Sequence, residues 1–497
     1  MRARLALATA VVLLLVVPAC AAAAPRQLSI FQDDATLLGT GRDAEAALAE
    51  MKALGVDMVR VFVVWKRVSP DSESRTMPAG FDVADPESAG YDWSVYDTFI
   101  ERARRHGLQV LFNLTPPIPY WASEEPDGCP HAVGGHEEFG FSCHWKPSPR
   151  LFGQFAAAVV KRYGTQVDLW SMYNEPNLEH YLYPQFERTP FGVVDVAARR
   201  YRRLWWEGWK AVAQYAPAMR GKVLFGETAA ISAPMDTLYA ALCLNPKGRP
   251  FRGRLRALQG CNRPRKLPIG GIATHPYGNY GIGSVFERTK TDDSLPMAYI
   301  NRLHALIDGA ARQGRIPPRR GIYLTEFGFQ SNPPDTERGL SLERQAASLN
   351  EADRLFHSDP RVRSVAQYEL FDQPEPPPPE RPMLNSGLRL IDGDLKPSWY
   401  AYRMPLVASR VRARTVELWG HVRPAERRTR VTLTASNANG DDISLARIGT
   451  DQAGFFRYLV RRRDARRLRY SAAWASPGGE LMRSREAAVG RRIRYLE

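Results

Sequence analysis

"LWSMYNEPN", residues 169–177, is a nearly unbroken apolar run that stops abruptly at Asn174, Glu175 and Pro176. A short, β-rich run without polar alternation reads as a strand covered on both faces, as parallel strands under helices are. A carboxylate at the mouth of such a strand is costly unless it is paired, hydrogen-bonded or protonated. The segment therefore predicts a parallel sheet and a polar site where this strand ends.

Outward from it the same unit recurs. Strands are predicted at "LSIFQ" (28–32), "MVRVFVVW" (58–65), "QVLFNL" (109–114), "VDLWSMYN" (167–174), "KVLFGE" (222–227), "GGIATH" (270–275), "GIYLTE" (321–326) and "SVAQYELF" (364–371). Stretches at helical spacing separate them, among them "DAEAALAEMKAL", "VYDTFIERARRH", "LFGQFAAAVVKRYG" and "SLERQAASLNEADRLFH". The weakest helical signal, "APMDTLYAALC", follows strand five. Eight strands, each followed by a helix, predict an α/β fold, one closed (β/α)8 TIM barrel. An open doubly wound sheet would carry a Gly-rich phosphate turn after strand one. "SIFQDDATLLGTGRD" has glycines there but not the G-x-G-x-x-G spacing.

Past about residue 410 the pattern changes. "TVELWGHV", "TRVTLTAS", "ISLARIG", "GFFRYLVR" and "LRYSAAW" alternate and are separated by turn residues, which predicts a small antiparallel β-sandwich. The expected organisation is a signal segment over 1–24, a catalytic barrel over 25–405 and an accessory domain over 410–497. The proline run "PEPPPPE" (374–380) precedes the last barrel helix and is expected to be a stiff loop at the barrel mouth.

The first residues, "MRARLALATAVVLLLVVPACAAAAP", place two arginines before an apolar run too short to span a bilayer, then small residues. They predict export. "VPAC" fits a lipobox that would acylate Cys20, and "CAAAAP" offers A-x-A cleavage sites, so a lipid-anchored surface protein and a secreted one both stay open. No later transmembrane span is expected. Cys129, Cys143, Cys243 and Cys261 remain, an even number that favours disulfides in an exported chain. Cys129–Cys143 with Cys243–Cys261 is the simplest of three pairings. No C-x-x-C is present, and neither a metal nor a cofactor is expected.

The formal net charge is +15. Residues 406–497 hold 20 arginines, no lysine and nine acids. That domain could meet an anionic cell-envelope polymer, or simply be a solvated Arg-rich surface. No nucleic-acid motif accompanies the charge, so nucleic acid is not expected as a partner.

In a barrel of this kind the active site lies at the carboxyl ends of the strands. Strand four ends in Asn174–Glu175 and strand seven in Glu326. Strand six runs into His275-Pro276-Tyr277, strand two carries Arg60 and Trp65, and strand five ends in Glu227. Strand one runs into Asp33 and Asp34, and strand eight ends near Glu369 and Asp372. Two carboxylates across a barrel mouth suit hydrolysis of a glycosidic bond. One protonates the leaving oxygen, and the other attacks the anomeric carbon or activates a water.

With these residues in view, the chain resembles the retaining glycoside hydrolases of clan A over most of 28–405. "YNEPNLEHYL" looks most like the acid/base motif of glycoside hydrolase family 39, with family 5-type enzymes as close alternatives. "YLTEFGF" looks like the clan's nucleophile motif. The resemblance implies that Glu175 is the acid/base, that Glu326 is the nucleophile and that Asn174 holds the sugar 2-hydroxyl. It further implies that Arg60 and Tyr277 hydrogen-bond Glu326, and that His275 lines the site near Glu175. A polysaccharide, oligosaccharide or glycoconjugate would be the substrate. Clan relatives often end strand eight with a tryptophan under the cleaved sugar, whereas this chain offers Tyr368, Leu370 and Phe371.

Aromatic residues are expected to form sugar platforms: Trp65 at the end of strand two, and Trp121 and Trp145 in the long loop after strand three. Glu227 has no assigned catalytic role and is expected to be a structural partner. Two readings from other classes remain: a barrel that binds carbohydrate without cleaving it, and an envelope adhesin built on the basic domain.

Overall fold

The protein is described here by a computed structural model that covers residues 27–129, 143–278, 284–289, 291–374 and 384–496. The signal segment, Cys20 and residues 375–380 of the proline run lie outside the described residues.

Each strand expected in the barrel forms. They are β1 (Leu28–Gln32), β2 (Met58–Val64), β3 (Gln109–Thr115), β4 (Leu169–Met172), β5 (Val223–Ala229), β6 (Gly271–His275), β7 (Gly321–Leu324) and β8 (Val362–Tyr368). They close in the order β1-β8-β7-β6-β5-β4-β3-β2, with parallel neighbours throughout. Inward side chains stack in layers. The lower layer is apolar and contains Ile30, Met58, Leu111, Leu169, Leu224, Ala273 and Ala366. Above it the interior turns polar, with Gln32, Arg60, Asn113 and Ser171 fully buried. Outward residues such as Val59, Val61, Phe112, Trp170 and Phe225 meet the surrounding helices.

Those helices are α1 (Ala44–Ala53), α2 (Ser94–Arg105), α3 (Pro149–Tyr163), α4 (Val196–Tyr215), α5 (Pro234–Ala241), α6 (Arg302–Arg312), α7 (Leu342–His357) and α8 (Pro397–Arg403). Several start on a side chain that satisfies a free backbone N–H. Asp43, Ser148, Asp195 and Ser341 cap α1, α3, α4 and α7 in this way. Within "LWWEGW" of α4, Leu204 and Trp205 are buried against the barrel, and the Trp205 indole donates to the Leu224 carbonyl at 2.6 Å. The weak signal after strand five is a true helix, α5.

The C-terminal domain consists of β9 (Leu406–Arg412), β10 (Thr415–His421), β11 (Arg430–Ser436), β12 (Asp442–Gly449), β13 (Phe455–Arg461), β14 (Arg469–Ala475), β15 (Leu481–Arg483) and β16 (Ala487–Gly490). The strands run β12-β11-β14-β16-β9-β10-β13, with β15 beside β14. The pairing is antiparallel except between β9 and β16. Leu418, Val431, Tyr470 and Trp474 from the different strands share one core. The domain's first strand, β9, starts at Leu406. Sequence reading missed β9, β15 and β16: β9 ends in exposed residues around Arg410 and Arg412, and the other two are only three and four residues long. Among the described residues, no helix is long and apolar enough to cross a membrane.

The domain docks on the foot of α7. Arg423 pairs with Asp353 at 2.7 Å, donates to the Tyr402 carbonyl at 2.9 Å and covers the Tyr402 ring at 4.1 Å from its centre. Glu417 takes Arg354 at 3.0 Å and also Arg457. The His357 ring stacks on Phe455 at 4.0 Å. We expect Arg423→Ala, which strands a buried carboxylate, to cost about 2–3 kcal/mol in urea unfolding. A single transition should persist.

Candidate active site

The carboxyl ends of four consecutive strands, β4 to β7, carry Glu175, Glu227, His275 and Glu326. Local backbone aims them. Tyr173 and Glu175 adopt left-handed φ of 74° and 36° as the chain leaves β4. The β5–β6 register slips between Gly226 and Thr228, so Glu227 sits on a bulge with φ 50°. A bulge re-aims one side chain, here into the barrel. Gly226 permits it, because a Cβ there would lie 2.4 Å from the Ala273 carbonyl oxygen. The Glu175 N–H donates to the Glu227 carbonyl at 2.9 Å, locking the two strand ends together. Asn177 clamps the same junction. Its amide donates to the Ile231 carbonyl at 2.7 Å and accepts from the Ala229 N–H at 3.0 Å.

Arg60 enters from β2 and is fully buried. Its Nη1 donates to Glu326 Oε1 at 2.7 Å and to Gln32 Oε1. Its Nη2 donates to Glu227 Oε2 at 2.8 Å and to Asn174 Oδ1 at 2.9 Å. Glu227 also accepts from Ser171 at 2.6 Å, Thr325 at 3.1 Å and His275 Nε2 at 2.9 Å. Burial alone would raise its carboxyl, but Arg60, His275 and Ser171 hold it down at about 2. Glu227 is thus a permanent anion.

His275 lies between three carboxylates. Nδ1 is 2.8 Å from Glu175 Oε1 and 3.6 Å from Glu326 Oε2, while Nε2 faces Glu227. Full burial pulls its pKa down, yet Glu326 and the hydrogen bonds to Glu175 and Glu227 push it up to about 10. The ring is an imidazolium at neutral pH and donates from both nitrogens. Tyr277 donates to Glu326 Oε2 at 3.4 Å. Its ring meets Tyr368, at the end of β8, edge-on at 6.4 Å.

A carboxylate oxygen of Glu175, one of Glu326 and a His275 ring nitrogen all lie within 4.8 Å of one another. Glu175 and Glu326 keep 12% and 8% side-chain exposure, so a ligand can reach them from the mouth. The structure therefore brings together Glu175, Glu326, Arg60, Asn174, His275 and Tyr277.

The aromatic expectations need correction. Trp65 is fully buried and stacks on Phe155 at 5.1 Å. Trp121 is 5% exposed, packs edge-on to Trp65 and donates to the Pro70 carbonyl at 3.2 Å. Neither offers a face to sugar, because both fill the space between the strand-three loop and α3. Trp145 is half-buried against Tyr183 at 5.2 Å, under the Lys146 ammonium. The loop carrying it is tied by Cys129–Cys143, and the second disulfide is Cys243–Cys261. The half-buried aromatics beside the carboxylates are instead Tyr277 and Tyr368, with Tyr181 nearby.

Other strand-end acids serve the scaffold. Asp33 accepts from the Leu370 and Phe371 N–H groups at 3.0 and 3.3 Å, closing the β1–β8 seam. Asp34 accepts from the Phe62 N–H at 2.7 Å and from Gln32 at 2.8 Å, and burial pushes its carboxyl up to about 6. Burial, then Asp33 and Asp372, raise the Glu369 carboxyl well above its ordinary range. Asp372 pairs with the buried Lys396 at 2.6 Å.

The fold and these carboxylates define a parallel barrel with an acidic site at its C-terminal mouth. No family model matches the chain. A curated relative, the chloroplastic beta-glucosidase-like SFR2 of Oryza sativa subsp. japonica, is 27% identical over 139 residues. That match takes in 27% of this chain and spans only 18% of the relative's length. Among solved structures, a glucosidase from Croceicoccus marinus superposes with a TM-score of 0.50 at 12% identity, over 88% of this chain and 93% of that one. It establishes a shared fold. The beta-glucuronidase of Bacteroides uniformis gives a TM-score of 0.43 at 10% identity, over 94% of this chain and 46% of that one.

Two outcomes test this electrostatic reading. Arg60→Met should destabilise the chain by about 3–5 kcal/mol in urea, because it removes the buried guanidinium paired with both Glu227 and Glu326. The pH dependence should also carry two signatures. The His275 contribution is complete below its ordinary value of 6.5 and is lost as pH rises toward about 10. The Glu227 contribution is complete above 4.5 and is lost as pH falls toward about 2. The Tm gap between the native chain and His275→Gln should therefore shrink on the alkaline side, and the gap to Glu227→Gln on the acid side.

Proposed function

We propose that the chain is a glycoside hydrolase working by double displacement, with Glu326 as nucleophile and Glu175 as acid/base. The observation that carries this reading is the approach of Glu175 and Glu326 carboxylate oxygens to within 4.8 Å. Retention needs carboxyl groups about 5 Å apart, whereas inversion leaves about 6.5–9.5 Å for a water between them.

In the first step Glu326 attacks the anomeric carbon while Glu175 gives its proton to the glycosidic oxygen. The C–O bond breaks, an alcohol leaves and a glycosyl ester forms on Glu326. In the second step Glu175, now a carboxylate, takes a proton from water. The resulting hydroxide attacks the anomeric carbon, and the ester bond returns its electron pair to Glu326. Arg60 and Tyr277 hold the two Glu326 oxygens. His275 holds Glu175 Oε1, which leaves Oε2 to carry the proton. Asn174, fixed by Arg60 through its carbonyl oxygen, shares its amide N–H groups between the Tyr181 hydroxyl and a sugar hydroxyl.

The substrate class is an O-linked polysaccharide, oligosaccharide or glycoconjugate. The motif likeness to family 39 stands within this proposal, with Tyr368 at the end of β8 where clan relatives often have tryptophan. The two disulfides support a site of action outside the reducing cytoplasm.

Turnover of glycan substrates should fall by about a thousand-fold or more in Glu326→Gln and in Glu175→Gln. Proton NMR during hydrolysis should show a first product with the anomeric configuration of the substrate. An inverted first product would sink the covalent step. Binding without any turnover by the native chain would favour a carbohydrate-binding barrel.

A further inference from the structure

On the barrel flank, between α4 and residues 260–267, lies a surface pocket of about 620 Å³. Arg150, Arg199, Arg202, Arg203, Arg263 and Arg265 line it, against a single carboxylate, Glu207. Glu207 is already engaged by Lys210, one turn along α4. Two of the arginines are anchored on neutral backbone. Arg202 donates to the carbonyls of Ala240 at 3.2 Å and Gln259 at 2.7 Å, and Arg199 donates to that of Leu258 at 2.5 Å. Carbonyl dipoles fix a guanidinium without cancelling its net charge. The Cys243–Cys261 disulfide pins the same wall. Burial, then the charges of Arg199 and Arg203, pull the Arg202 pKa down to about 10. Like charges are therefore crowded here at a cost that an anion would relieve. The Trp206 ring lies beside them, 5.2 Å from the Arg265 guanidinium. A second pocket of about 480 Å³ shares Arg199 and Arg203. It reaches Lys146 in the loop after β3 and Phe186 beyond Glu175, but Glu124, Glu125 and Glu187 also line it, with Glu124 at 4.0 Å from Arg203.

We propose that this flank binds an oxyanion-bearing polysaccharide, whose carboxylate, sulfate or phosphate groups pair with Arg203, Arg263 and Arg265 beside Trp206. The arginines line a concavity with an aromatic wall, which fits a flexible glycan better than the rigid backbone of a duplex. The site lies outside the carboxylate cluster and does not depend on the hydrolase reading.

The test is binding of the full chain to polygalacturonate, dextran sulfate and neutral dextran, at low and high salt. Arg203 and Arg263 are exposed, so R203E/R263E should keep the native Tm. The native chain should bind both anionic polymers and not dextran. The double variant should raise Kd by about ten-fold or more and flatten its salt dependence. R410E/R412E, on the basic C-terminal domain, should leave Kd within about two-fold. The proposal is overturned if R203E/R263E binds as the native chain does, or if R410E/R412E loses as much. It is equally overturned if duplex DNA outcompetes polygalacturonate at equal charge. Binding is read without turnover, so this result and the fate of Glu175 and Glu326 remain separable.

Discussion

Arg60 is a fully buried cation that joins β2 to groups from β1, β4, β5 and the end of β7, through Gln32, Asn174, Glu227 and Glu326. Burying a guanidinium is expensive unless anions and acceptors surround it. Here they do, and the arrangement constrains everything above the apolar lower layer. The barrel interior can be polar because Arg60 has acceptors on several strands. Glu227 can stay ionised at zero exposure because Arg60 and His275 are both there. Against the cations Arg60 and His275 stand Glu175, Glu227 and Glu326: Arg60 pairs with Glu227 and Glu326, and His275 faces all three.

Backbone irregularity supplies the precision. A parallel strand presents every second residue inward, so a regular β5 could not aim Glu227 into the barrel beside Gly226. The bulge breaks that alternation, and the left-handed φ at Tyr173, Glu175 and Glu227 costs of order 1–3 kcal/mol per residue. Such strain persists only where the surroundings over-determine it. The Glu175 N–H bond to the Glu227 carbonyl and the Asn177 clamp do that. "NEPN" is thus two devices in one motif: Asn174 faces Arg60, and Asn177 fastens the loop.

Much of this was legible in the sequence, for identifiable reasons. Strands buried on both faces announce a parallel barrel, and reactive groups at their ends announce the mouth. Arg60 was readable as an out-of-place charge inside "MVRVFVVW", as Glu175 was after "LWSMY". What could not be read was set by tertiary packing. The bulge that turns Glu227 inward depends on register against β6. Trp65 and Trp121 look like platforms on a linear map, yet Phe155 of α3 and Phe81 fill the space beside them. The hairpin of Phe186–Thr189 and Gly192–Asp195 is mostly exposed and lacks the apolar alternation that would announce it.

The placement of His275 explains how two carboxylates can approach each other this closely without repelling one another apart. Two like charges at such a distance in a buried site are held only if a cation or a proton lies between them. His275 Nδ1 faces both, at 2.8 and 3.6 Å, while Nε2 is tied to the permanent anion Glu227. Glu326, Glu175 and Glu227 together push the ring toward its charged form, so His275 stands as a cationic spacer among them. Glu227 acts through the far nitrogen, Nε2, so a carboxylate that looks redundant at the end of β5 helps to keep cationic the ring that the other two share.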